Sequence, residues 1–345
     1  MMEEKLKFAV LGTGFWSDFQ IKGWQEIEGV ELVALCDPEG DKAEESAKRH
    51  GINRFYQDAS ALLENETLDF VDIISSIPSH AQLVRLAAKK GVHVICQKPM
   101  AEDFQTCKEL VEVCQKAGVQ FFIHENARFQ LPIRACKDLI QNGEIGQPFK
   151  ARLTFCSGFP VFENQPSLAN LDQFIISDLG VHLLDTARFL FGEVEQIYCQ
   201  TQKVNPKIKG EDVANILMRM QNGIDCFVEM SYASYLEKES FPQTLMLIEG
   251  DTGSMRLDHN HLLTLTQKGK GSSSWKVDPP VYAWADPDYA LIHSSIVACN
   301  LNILSGLQGK GIGETSGADN LKTMELVFLS YDSAQHNQVM KPKHG

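Results

Sequence analysis

Phe8-Ala9-Val10-Leu11-Gly12-Thr13-Gly14-Phe15-Trp16-Ser17, residues 8–17, is the stretch that decides the fold. A short apolar run, Phe8–Leu11, passes into a glycine turn and then into a helical stretch through Ile27. Gly12 permits the tight turn, and Gly14 lets the backbone approach a pyrophosphate at the helix N-terminus. Thr13, Phe15 and Trp16 share that turn, with Trp16 expected to pack near the bound group. The position of a third glycine, which concerns helix–strand packing, is filled by the small residue Ser17. Gly-x-Gly alone is a weak signal; its place between a strand and a helix gives it meaning.

Working outward, strand and helix signals alternate through residue 124. Val30–Cys36 is the second strand, Arg54–Tyr56 a short third, Asp69–Ile74 the fourth, Val92–Cys96 the fifth and Val119–His124 the sixth. Charged helices lie between them, among them Asp41–His50, a helix from about His80 to Gly91, and Asp103–Ala117 with Asp103 as cap and Gly118 as stop. Such alternation implies βαβ units and a doubly wound parallel sheet, a Rossmann domain over residues 1–124. Asp37, 23 residues beyond Gly14, ends the second strand. An acidic side chain there accepts hydrogen bonds from an adenosine ribose and repels a 2′-phosphate, so NAD is expected over NADP. A helix N-cap is the competing role for Asp37, since Asp41 and its neighbours begin a helix. Ser75, Ser76 and Pro78 leave room for a cofactor at the end of the fourth strand, and His80 follows in the first helical turn, given no chemistry of its own.

The fifth strand runs into Gln97-Lys98-Pro99. Pro99 restricts Lys98 to an extended or turn conformation, at the carboxyl edge where open α/β sheets bind ligands. After residue 124 the rhythm changes to a helix (133–141), a strand near 150–155, a helix (178–191) and then mostly strands: 196–202, 213–220, 224–231, 244–249, 254–257 and 262–267. Short polar turns between them predict an α+β domain, residues 125–345, with an open and mainly antiparallel sheet. Lys268–Ser274 is expected to be a loop, and helices near 289–307 and 316–335 close the chain.

The chain has 345 residues, 43% hydrophobic and 22% charged, with a formal charge of −13. That charge, without any Lys/Arg run, argues against nucleic acid as a partner. No apolar run reads as a membrane span, and the opening Met-Met-Glu-Glu-Lys-Leu-Lys is not a signal peptide. Nine cysteines without CxxC or framework spacing read as reduced thiols of a cytoplasmic protein. No His/Cys cluster has zinc spacing, so no metal is expected; His259 and His261 read as solvated loop or strand residues.

Asp178-Leu179-Gly180-Val181-His182-Leu183-Leu184-Asp185 carries the second chemical signal. At helical spacing Asp178, His182 and Asp185 line one face, a stripe that serves either proton transfer or an ordinary surface ion pair. Gly180 is a poor helix former, costing about 1 kcal/mol against alanine, which points to close approach by another group.

Taken in order, Gly12-Thr13-Gly14, Asp37, Ile77-Pro78-Ser79-His80, the stretch 91–99, Asn126-Ala127-Arg128-Phe129 and Asp178…Gly180…His182…Asp185 resemble the Gfo/Idh/MocA oxidoreductases, the glucose–fructose oxidoreductase and inositol dehydrogenase relatives. The resemblance covers nearly the whole chain. It implies NAD(P)-dependent hydride transfer to or from a secondary alcohol of a sugar, cyclitol or related polyol. Lys98, Asp178 and His182 would form the catalytic group: Lys98 polarises the reacting oxygen, His182 acts as general acid/base, and Asp178 orients it or relays the proton. Gln97, Lys98, Pro99 and Asn126 would join the cofactor site, with a cis peptide before Pro99. Arg128 and Asp185 would hold substrate hydroxyls or form a structural salt bridge. An open sheet that joins subunits would give a homodimer or homotetramer. Family members commonly carry Glu where this chain has Gln97, which leaves the role of position 97 to be explained. Two other readings keep the fold: an NAD-dependent glycoside hydrolase, and a non-enzymatic nicotinamide-sensing regulator. Retention of Lys98, Asp178 and His182 argues against the regulator, because a sensor needs no proton-transfer group.

Overall fold

The computed structural model describes residues 5–343; residues 1–4, part of the charged opening stretch, and 344–345 lie outside the described residues. Strands β1 (Leu6–Leu11), β2 (Val30–Cys36), β3 (Phe55–Tyr56), β4 (Phe70–Ile73), β5 (His93–Gln97) and β6 (Phe121–His124) alternate with helices α1 (Phe15–Gln25), α2 (Gly40–His50), α3 (Ala59–Asn65), α4 (Ile77–Lys89) and α5 (Phe104–Ala117). The six strands are parallel in the order β3-β2-β1-β4-β5-β6. This is the dinucleotide-binding order, whose carboxyl edge is the ligand edge. β1 is a continuous apolar run because helices cover both of its faces: Phe8, Ala9 and Val10 are wholly buried. α5 starts at Asp103, whose carboxylate accepts the Thr106 N–H, and stops at left-handed Gly118.

The second half continues with α6 (Leu131–Gln141), β7 (Pro148–Cys156), the single turn α7 (Val161–Asn164) and α8 (Val181–Phe191). Strands β8 (Val194–Gln202), β9 (Val213–Met220), β10 (Asp225–Ser231), β11 (Leu245–Gly250), β12 (Gly253–Asp258), β13 (Leu262–Gln267) and β14 (Gly271–Lys276) follow, then α9 (Ala290–Leu307) and α10 (Gly317–His336). The eight-stranded sheet runs β14-β13-β12-β11-β7-β10-β9-β8, antiparallel except for the β7–β10 pair. In β9, Ala214, Ile216, Met218 and Met220 point inward and alternate with outward Asn215, Leu217 and Arg219, as a sheet with one covered face requires.

Two expectations are corrected. Lys268–Ser274 is not all loop: β14 pairs with β13 from Gly271 to Lys276, and every one of its residues is exposed. An edge strand solvated on both faces needs no apolar alternation, so the pattern gives no sign of it. Residues 287–307 are long and apolar enough to cross a bilayer by length and composition, but 67% of their most apolar 18-residue window is buried in the protein, as in a core helix.

The chain forms two compact units. Among the described residues the first comprises 5–126, 282–285 and 293–324; the second comprises 127–281, 286–292 and 325–343. Most of α9 and the start of α10 therefore belong with the parallel sheet, in contrast to a single division after residue 124. Hydrogen bonding explains this, because Thr315 O accepts the Ile123 N–H at 2.8 Å and Phe122 bridges Ser316.

Candidate active site

In the first unit the carboxyl edge of β1 is built around Gly12, at φ +106°. A Cβ there would lie 2.6 Å from Ile74 O, so no other residue fits the turn against the end of β4. Gly14 begins α1 without a side-chain cap, and a Cβ at Gly14 would meet no protein atom within 4 Å. An uncapped helix N-terminus with open space before it suits a pyrophosphate. Ser17 is buried, and its hydroxyl donates to Gly14 O at 2.6 Å, which fits its small-residue role. Phe15 is exposed and lies edge-on to Phe19, and Trp16 packs on the same ring.

Asp37 is not the cap of α2, whose N-cap is Glu39. Its Oδ2 accepts the Thr13 N–H at 2.9 Å and the Thr13 hydroxyl at 3.0 Å, and its Oδ1 accepts the Glu39 N–H. The carboxylate thus braces the glycine turn while remaining half-exposed at the strand edge. Replacing Asp37 by alanine should therefore weaken NAD binding as well as narrow the preference over NADP. Dissociation constants for both cofactors test this, and strong NADP preference in the unmodified protein would refute the ribose role.

Ser75, Ser76 and Pro78 open α4 at the next strand end, with Ser75 Oγ 2.6 Å from Ser79 Oγ. The buried His80 ring spans Pro99 O and Ser75 O, each 3.1 Å from a ring nitrogen. Burial pulls its pKa down against those carbonyls. His80 ties the end of β4 to the Lys98–Pro99 turn, a structural role. That peptide is cis. Lys98 is half-buried. The Gln97 amide is spent inside the unit: its nitrogen donates to Gln20 Oε1 and faces His124 Nδ1 at 3.3 Å, and its Oε1 accepts the Lys98 N–H at 3.2 Å. Gln20 in turn donates to both oxygens of Asp72, a wholly buried carboxylate pushed up to about 7 by its burial against the hydrogen bonds of Trp24 and Gln20. Asn126 is also buried and donates to Ser295 Oγ at 2.8 Å.

In the second unit a π-turn, Ile176–Gly180, precedes α8, with the Val181 N–H reaching Ile176 O. The wider turn changes the even helical stripe expected for Asp178, His182 and Asp185. Asp178 and His182 are half-exposed. Asp185 is wholly buried, and Arg128 grips both of its oxygens, Nε to Oδ2 at 2.7 Å and Nη2 to Oδ1 at 2.6 Å. With side chains 6% and 0% exposed, the pair forms a buried salt bridge, one of the two arrangements expected for it. Gly180 meets the close neighbour its cost implied: a Cβ there would sit 3.2 Å from Met230 Sδ.

The residues that shape this turn carry no local signal. Glu211 accepts the N–H groups of Phe174 and Ile176 and the Tyr331 hydroxyl at 2.8 Å, and that hydroxyl accepts the Ser177 N–H. A carboxylate at this N-terminal end satisfies helix donors that would otherwise be unpaired. Among the described residues no group of three or more His, Cys, Asp or Glu side chains is arranged for a metal. None of the nine cysteines is in a disulfide among the described residues, and burial pushes those at 107, 114, 136 and 226 up to about 12.

Residues 6–125 match the oxidoreductase family with an NAD-binding Rossmann fold, and residues 133–256 match the GFO/IDH/MocA C-terminal domain. The chain is 42% identical to a D-apiose dehydrogenase of Paraburkholderia graminis, over 99% of this chain and 90% of that one. It is 41% identical to a D-apiose dehydrogenase of Rhizobium rhizogenes, over 97% of each. A solved oxidoreductase from Agrobacterium radiobacter, in complex with NAD+, L-tartaric acid and magnesium, superposes with a TM-score of 0.95 at 41% identity, covering 98% of both chains. The chain belongs to the Gfo/Idh/MocA oxidoreductase family and is an NAD-dependent dehydrogenase acting on CH–OH groups.

Proposed function

We propose that the protein oxidises a secondary alcohol of a sugar, with D-apiose as the first substrate to test. Near full-length identity of 42% to a D-apiose dehydrogenase carries this choice. The glycine turn, Asp37 and the Ser75–Pro78 edge would hold NAD, which when bound supplies the hydride acceptor. His182 takes the hydroxyl proton as general base while the carbinol C–H bond is broken and the carbonyl forms. Lys98 donates a hydrogen bond to the same oxygen and stabilises its developing negative charge. Asp178 orients His182 or passes its proton outward. The half-exposure of Lys98, Asp178 and His182 is consistent with these roles, since a wholly buried group could not meet a sugar.

A panel of branched and linear aldoses, cyclitols and polyols with NAD tests the proposal through the absorbance of reduced nicotinamide. The highest kcat/KM is expected with D-apiose. Preference for a cyclitol by more than tenfold, about 1.4 kcal/mol of transition-state binding, would overturn the substrate assignment.

A further inference from the structure

The glutamine before Lys98 lies in a buried chain of polar side chains that the proposed mechanism does not use. Gln20, Asp72, His124 and Asn300 are wholly buried, and Gln97 is 8% exposed. Among the described residues Asp72 faces donors alone: Gln20 Nε2 at 2.7 and 2.8 Å and Trp24 Nε1 at 2.8 Å. A carboxylate that only accepts is suited to its ionised form. Gln20 must then turn its nitrogen to Asp72 and its oxygen to Gln97. Gln97 must turn its nitrogen to Gln20, which leaves its oxygen for the Lys98 N–H. The same Gln97 nitrogen faces His124 Nδ1, so that atom accepts and the His124 proton sits on Nε2, 2.9 Å from Asn300 Oδ1. The acceptor oxygens of one buried side chain therefore fix the direction of every amide up to the backbone of Lys98.

We infer that Asp72 is a positioning residue for Lys98, acting through Gln20 and Gln97, and that the carboxylate at 72 and the amide at 97 are a matched pair exchangeable only together. The kinetic part of this rests on the proposed role of Lys98; the ordering of the chain does not. A carboxylate at 97 would put acceptors at both ends of the single Gln20 amide, which can donate to one of them. With an amide at 72 as well, the conflict disappears. The new amide would donate to a reversed Gln20, and Gln20 would donate to the new carboxylate. A reversed Asn300 amide would then donate to His124 Nε2, while the Nδ1–H of that ring turns to the same carboxylate.

The test is a cycle of Gln97→Glu, Asp72→Asn and their combination, read by kcat, melting temperature and the ring-nitrogen NMR shifts of His124 in the cofactor-free protein. Gln97→Glu is expected to lose about tenfold or more in kcat, with the combined variant recovering most of it, a coupling typical of residues in one network. The His124 proton should sit on Nε2 in the unmodified protein and on Nδ1 in the combined variant. Additive losses, or an unchanged tautomer in the combined variant, would overturn the inference. If Gln97→Glu is too unstable to purify, the combined variant decides: a stable protein with the tautomer inverted supports the pairing, and an equally unstable one refutes it. Should Lys98 itself prove dispensable, the melting temperatures and the tautomer still judge the pairing independently.

Discussion

Replacing Lys98 by methionine is expected to lower kcat on the order of 100- to 1000-fold, the usual cost of losing one donor aimed at a developing oxyanion. Methionine keeps the length and apolar stem of the side chain and removes only its charge and its hydrogen bonds. The Lys98 N–H held by Gln97 Oε1 is a backbone group, so the turn and its cis peptide do not depend on the side chain. NAD affinity should stay close to that of the unmodified protein, since the glycine turn and Asp37 stand at the ends of other strands, β1 and β2. Steady-state kinetics together with cofactor titration separate the two effects. Turnover at the normal rate would remove Lys98 from the chemistry.

Arg128→Ala should act on stability and not on substrate recognition. It would leave the Asp185 carboxylate 0% exposed and without the guanidinium that now holds both of its oxygens. Breaking a buried pair from one side costs about 3–5 kcal/mol, a large share of the roughly 5–15 kcal/mol that holds a typical domain together. The melting temperature should fall on the order of 10 °C. The paired replacement Arg128→Met with Asp185→Leu should recover most of that loss, because it removes both charges together. If Arg128→Ala instead raised KM strongly and left the melting temperature unchanged, the pair would be a substrate clamp after all.

The parts of the fold legible in the sequence are those that leave a local chemical trace. The buried run Phe8–Leu11 before Gly12 marks its strand because both faces are covered, and Asp103 with Gly118 marks α5 because caps use those residue types. α3 leaves no such trace: it has only seven residues, and its cap Asp58 follows closely on β3. β14 is hidden because Gly271-Ser272-Ser273-Ser274 has no inward face to keep apolar. At the candidate site the same division holds. Gly180 declares its close contact through its poor helix propensity, whereas Glu211 reaches back across 35 residues to Ile176, and Asp72 meets Gln20 across 52. Nothing near either acid in sequence predicts its partner. Gln97 stands out as a departure, but its explanation needs Gln20, His124 and Asp72 placed around it.

The measurement that tests the central claim most directly is the stoichiometry of a single turnover. Protein saturated with NAD is mixed with a limiting amount of D-apiose, and reduced nicotinamide is compared with sugar consumed. Net oxidation predicts one reduced cofactor for each sugar lost. Loss of sugar with no lasting reduction would contradict it and indicate chemistry that returns the hydride to its substrate.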